Sequence, residues 1–206
     1  MIQTSAPIVL ASRSEARATL LRNAGLAVRV APSGVDEGPI KASGAEAGAS
    51  AEAVALELAE AKALAVSRAP EWQDAWVIAA DQMLDCDGRW FDQPADRACA
   101  RDQIAALAGR THRLISAAVI AHGGAIVWRG SDSARLSMRA LSAREIDRYL
   151  DAAGDDCLSS VGAYRLEGLG VHLFREIAGD YFTLLGLPLL ALLDQLRQLG
   201  AIQSPG

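Results

Sequence analysis

Histidine and cysteine are scarce in this chain, three of each in 206 residues. His112, His122 and His172 are scattered, and Cys86, Cys99 and Cys157 share no metal-ligand spacing, so a zinc site built from them is not expected. Reduced thiols, and with them a cytoplasmic setting, are the expectation. No run approaches the roughly 18 apolar residues of a membrane helix. The most apolar segment, Leu184 to Leu193, contains Pro188 and stops at Asp194. The N-terminus Met1-Ile2-Gln3-Thr4-Ser5 lacks the basic and apolar regions of a secretory signal. A surplus of positive charge is also missing: 20 Lys and Arg face 25 Asp and Glu, for a net charge of −5. That balance argues against a nucleic-acid backbone as main partner. A small anionic ligand needs only a local basic pocket.

With 51% hydrophobic and 22% charged residues, the chain is long and apolar enough to bury a core. Strand and helix patterns alternate from the start. Strand 7–11 leads to helix 15–24, closed by Gly25, and strand 27–31 runs into the polar segment 32–50, read as a mobile loop. Residues 51–68 carry apolar side chains at helical spacing. Strand 76–80 precedes the hairpin signal Asp85-Cys86-Asp87-Gly88. A helix containing 101–107, two long β runs at 112–121 and 125–138, and a helix at 143–152 with a Ser142–Glu145 capping box follow. The glycine-punctuated stretch 162–170 reads as a loop, 171–177 as a strand and 189–199 as a closing helix. The pattern predicts a mixed α/β fold whose two lobes flank a cleft.

Two strand ends concentrate the chemistry. After Ile8-Val9-Leu10-Ala11 come Ser12, Arg13, Ser14 and Arg17, at a helix start whose unpaired N–H groups suit an anion. The serines can cap that helix or donate to phosphate, and the arginines can neutralise one. A second apolar strand, Val77 to Ala80, delivers Asp81 and Gln82. Ligands of open α/β sheets sit at such carboxyl ends. Together the two ends point to metal-assisted phosphate chemistry.

These segments, in their order, resemble the Maf family of nucleoside triphosphate pyrophosphatases. The resemblance runs through Leu10-Ala11-Ser12-Arg13-Ser14 with Arg17, Val35-Asp36-Glu37, Glu60-Ala61-Lys62-Ala63 and Ala80-Asp81-Gln82. It continues through Asp87-Gly88, Pro94, Leu107 to His112, Gly162-Ala163-Tyr164, Glu167 to Gly170, Gly179-Asp180-Tyr181 and Gly186-Leu187-Pro188. It implies a single Maf-like domain over residues 1–206, with an elongated mixed sheet of the Maf/ITPase-like kind and flanking helices around a central cleft. It also implies hydrolysis of a nucleoside triphosphate to the monophosphate and pyrophosphate with a divalent cation (Mg, Mn or Co). Asp81 then matches the catalytic proton acceptor. Glu37 matches an acid near metal and water, so Glu37 and Asp81 are the expected metal ligands. Lys62 and Arg17 match basic phosphate contacts, and Ser12 and Ser14 match the hydroxyls of the phosphate turn.

The chain departs from the family pattern at Glu15 (usually Pro), Ala18 (usually a second Arg) and Gln93 (commonly Lys before the Pro). Two positive charges are lost and one negative charge gained, which predicts weaker phosphate binding or slower turnover, with Arg13 able to replace part of the charge. The alternative reading is a catalytically impaired homologue that binds nucleotide or a protein partner in cell-division control. Gln82 and Glu167 stand where the family reads the base, and the pair resembles the branch acting on 7-methylguanosine triphosphate. The aromatic residue that this branch carries in the first turn is Ala16 here. The long β pair offers an edge for a homodimer.

Overall fold

The computed structural model describes residues 2–203, so Met1 and the last three residues of the expected domain lie outside the described part. One seven-stranded mixed sheet runs through the molecule. Strand β1 (Ile8–Leu10) pairs in parallel with β2 (Val28–Val30) on one side and with β3 (Trp76–Cys86) on the other. From there the sheet is antiparallel: β3 against β5 (Thr111–His122), β5 against β6 (Ala125–Met138), and the end of β6 against β7 (Phe174–Ala178). The short β4 (Arg89–Phe91) folds back on β3 through the expected Asp87-Gly88 turn. Helices α1 (Glu15–Asn23), α2 (Gly38–Glu46), α3 (Ala51–Ser67), α4 (Arg97–Leu107), α5 (Ala143–Ala153), α6 (Tyr181–Leu184) and α7 (Leu189–Gln198) cover it. Among the described residues no helix is long and apolar enough to cross a membrane.

Local signals explain most helix starts. Ser14, Ser50 and Asp96 each accept from a backbone N–H in the first turn of α1, α3 and α4. Ser142 and Glu145 form the predicted capping box on α5. Three expectations need correction. The segment 32–50 is not a loop throughout, because it contains α2. Its Ala/Gly-rich sequence becomes helical by packing: Gly44 lies so close to α3 that an added Cβ would stand 2.5 Å from a Val54 methyl. Strand β3 continues six residues past Ala80, held by the antiparallel ladder to β5, so Asp81 is inside a strand rather than at its end. The strand expected from 171 starts only at Phe174, because residues 169–173 form a 3-10 turn.

Side chains of a strand alternate between faces, and β3 has two apolar faces. Its even positions Ile78 and Ala80 join one hydrophobic cluster, under α1 and α7, and Leu84 and Cys86 join another, under α4 and α5. Its odd positions Val77 and Ala79 belong to a third cluster and Met83 to a fourth, both packed under α3. The interruption is the dipeptide Asp81-Gln82, one residue on each face. Opposite on β5 stand Ala117 and Ser116. The parallel partner β1 has already ended, at Leu10 beside Ile78. The two polar side chains therefore emerge where the apolar core divides.

A histidine is buried in the core near α5. His112 is 1% exposed; its Nε2 lies 2.7 Å from the Tyr164 hydroxyl, and its Nδ1 has no partner among the described residues. Burial pulls its pKa down to about 4. The unfolded chain protonates this ring near pH 6.5, so below that pH the unfolded state binds the extra proton and folding stability falls until about pH 4. The loss from this group is about 3 kcal/mol over that window. Urea unfolding at steps from pH 7 to pH 4 measures it: His112→Phe is expected to flatten the decline relative to wild type. An unchanged slope would mean that the ring does not titrate on unfolding.

Candidate active site

A cleft of ≈ 920 Å³ opens at the interruption in β3, walled by the β1–α1 turn, the segment 32–37, the start of α2, and residues 159–167 and 184–186. All ten expected site residues line it: Ser12, Arg13, Ser14, Arg17, Glu37, Lys62, Asp81, Gln82, Gln93 and Glu167. At its floor Asp81 points to α3, where the Lys62 ammonium lies 2.6 Å from Asp81 Oδ1 and 2.6 Å from Glu37 Oε1. Asp81 and Lys62 are buried, at 6% and 8% exposure. The alternation of charge continues outward. Glu37 Oε2 is 2.9 Å from the Lys41 ammonium, which is 2.6 Å from Asp92 at the mouth. Burial would raise the Glu37 carboxyl, but hydrogen bonds from both lysines pull it down to about 2. Burial would lower Lys41, but its bonds to Asp92 and Glu37 push it up to about 12. Both groups stay charged at neutral pH.

The β1–α1 turn forms the opposite wall. Ser12 Oγ accepts from the Ser14 N–H, and Ser14 Oγ accepts from the Arg17 N–H. The Arg17 guanidinium is tied to the scaffold: Nε donates to the Gly186 carbonyl, and Nη1 donates to the Ala80 carbonyl and Ser12 Oγ. Its Nη2 has no partner among the described residues, and Arg17 lines the cleft. Burial lowers its pKa while Asp81 and Glu37 act against that shift. Arg13 is exposed, without an acidic partner among the described residues.

Gln82 is placed otherwise than its role as a base reader suggests. Its Nε2 donates to Ser116 Oγ and to the carbonyls of Thr183 and Leu184, so it braces the loop that carries Gly186. Only the Oε1 acceptor is left for a ligand. Glu167 is exposed on the far wall. The three departures from the family pattern have different surroundings. Glu15 lines the cleft and pairs with Arg22 at 2.7 Å, and Ala18 is buried in the apolar cluster under α1. Gln93 Nε2 donates to the Ser159 carbonyl and ties two walls together. Sequence reasoning missed Lys41, Asp92 and Arg165, which also line the cleft. Lys41 had a readable signal, one helical turn after Glu37.

Among the described residues, no cluster of three or more His, Cys, Asp or Glu could hold a metal by itself. Glu37 and Asp81 nonetheless converge on one point, the Lys62 ammonium. Two carboxylates are the donor set that suits a hard divalent cation whose remaining ligands are water and phosphate oxygens. The residues fit such an ion.

The chain matches the family described as Maf-like protein over residues 7–199. It belongs to the Maf family. Among its relatives, a protein of Paramagnetospirillum magneticum (strain ATCC 700264 / AMB-1) named nucleoside triphosphate pyrophosphatase is 52% identical over 195 residues, 94% of this chain and 99% of that protein. One of Mesorhizobium japonicum (strain LMG 29417 / CECT 9101 / MAFF 303099) named 7-methyl-GTP pyrophosphatase is 49% identical over 198 residues, 96% of this chain and 98% of that protein.

In this Maf-family cleft the ammonium of Lys62 separates two carboxylates, and that arrangement sets an order of stabilities. Lys62→Met leaves both carboxylates facing each other, one of them buried, and is expected to cost about 3 kcal/mol. Asp81→Asn is expected to cost less, because Glu37 still holds the ammonium. Thermal or urea unfolding of both variants checks this, and equal losses would contradict the bridging role of Lys62.

Proposed function

We propose that this Maf-family protein hydrolyses a nucleoside triphosphate to the monophosphate and pyrophosphate in the cleft described above. The observation that carries the reading is the convergence of Asp81, Glu37 and Lys62 beside a serine- and arginine-bearing turn. Attack of water at the α-phosphorus needs a proton acceptor, neutralisation of the developing charge and a held leaving group. Asp81 Oδ2 has no partner among the described residues and is the acceptor. Lys62, beside it, offsets the charge that builds on the attacked phosphate. Ser12 and Ser14 hydroxyls and Arg17 Nη2 donate to phosphate oxygens, and Arg13 adds an unpaired cation for the departing pyrophosphate. Glu37 and Asp81 would hold a divalent cation (Mg, Mn or Co), which supplies charge withdrawal from the phosphates when bound.

For the base, Glu167 and Gln82 Oε1 are both acceptors. Guanine offers two donors on one edge, N1–H and the exocyclic amine, whereas thymine and uracil offer one. A 7-methylated guanine also carries positive charge, which a carboxylate favours. The relatives named for 7-methyl-GTP agree with a substrate of this chemistry.

Pyrophosphate release measured over a panel of triphosphates with Mg²⁺, Mn²⁺ or Co²⁺ tests the proposal. Guanosine-type triphosphates are expected to exceed dTTP and UTP in kcat/KM by roughly ten- to a hundredfold, the effect of one hydrogen-bonding group left unpaired against the wrong base. Preference for dTTP and UTP would refute the base assignment. Asp81→Asn, assayed while folded, is expected to lose at least 10²-fold in kcat, the contribution of a positioned proton acceptor. Undiminished turnover in that variant, or no pyrophosphate from any triphosphate with the wild type, would refute the mechanism.

A further inference from the structure

The sequence contains only two lysines, Lys41 and Lys62, among its 20 basic residues. Both ammonium groups lie in the cleft, and both bind the same carboxylate, Glu37. Lys62 is buried in the floor. Lys41 is nearer the mouth, with a side chain 23% exposed, on the face of α2 that turns inward from Glu37. Its second partner, Asp92, is 62% exposed. An exposed carboxylate is a weak holder of a cation, because water competes for both. Asp92 also adjoins Gln93, whose neutral amide is committed to the Ser159 carbonyl. The cationic group on this side of the cleft is thus delivered by α2.

An ammonium on a flexible four-carbon stem can pass from one oxygen anion to another with little rearrangement, whereas a guanidinium tied as Arg17 is tied cannot. A phosphate chain entering the cleft offers several such oxygens. We propose that Lys41 is a further substrate-contacting residue: its ammonium leaves Asp92 and binds the phosphate chain of the nucleotide, while Asp92 competes with substrate for it. The inference rests on the reading of the cleft as a triphosphate site. Asp92 then sets how tightly the phosphate chain is held, and Lys41 provides the hold.

The two partners make opposite predictions. Inorganic tripolyphosphate, which carries the phosphate chain without base or ribose, is the probe, and calorimetry on the folded protein is the readout. Lys41→Met is expected to weaken tripolyphosphate binding and to raise KM for the best nucleotide by tenfold or more, with a smaller change in kcat. Lys41→Arg should recover part of both. Asp92→Asn should change both in the other direction, tightening tripolyphosphate binding and lowering KM. A role limited to tethering α2 would instead make Lys41→Met and Asp92→Asn alike in sign, and that result overturns the proposal. So does tripolyphosphate binding by Lys41→Met within twofold of wild type. Failure of the wild type to hydrolyse any triphosphate would refute the proposed activity, and the tripolyphosphate measurement would still decide on Lys41.

Discussion

The Lys62 ammonium, held between Asp81 and Glu37, is the contact on which the site depends. It is made by α3, which packs along the odd-numbered face of β3, and by the segment just before α2. Removing two carboxylates and an ammonium from water is costly unless they pair closely, and here they do, at 2.6 Å on both sides. The pairing lets an acid sit inside a strand otherwise buried on both faces. It also ties the start of α2 to α3, since Glu37 is the residue before the first turn of α2.

The other face of the same strand is interrupted one residue later. Gln82 and Ser116 fill the gap between the clusters under α1 and under α4 with a polar network that ends on the carbonyls of Thr183 and Leu184. That network positions Gly186, whose carbonyl holds Arg17. Asp81 and Gln82 thus organise opposite walls of one cleft, one through a charge pair and one through amide hydrogen bonds. Two adjacent polar residues suffice because strand periodicity sends them to opposite faces.

Much of this was legible in the sequence, for reasons specific to each part. The long β pair, the capping box at Ser142 and the hydroxyl-rich turn at Ser12 and Ser14 are local signals that depend on neighbouring residues. The length of β3 was not legible, since Asp81 and Gln82 break the apolar run and only the ladder to β5 shows that the strand continues. Helix α2 was hidden for a similar reason: its glycines and small residues have weak helical preference, and the close approach of Gly44 to Val54 is tertiary. Losing α2 meant losing Lys41 as well. The direction of Gln82 could not be read either, because its partners are about 34 and 101 positions away in the chain.

The charge balance of the cleft links these pieces to its chemistry. Five cationic and five carboxylate side chains line it, so the walls as a whole are close to neutral. A polyanion gains little from such a surface unless the internal pairs are exchanged. Glu15 is paired with Arg22, and Arg17 and Arg13 have no carboxylate within ion-pair distance among the described residues. The exchangeable pairs are those of Glu37, Asp81 and Asp92 with the two lysines. A divalent cation taken by Glu37 and Asp81 would free ammonium groups for phosphate, and phosphate would in turn complete the cation's ligands. Cation and nucleotide are therefore expected to favour each other's binding by linkage, and the short alternating chain from Asp81 to Asp92 is the element through which they do so.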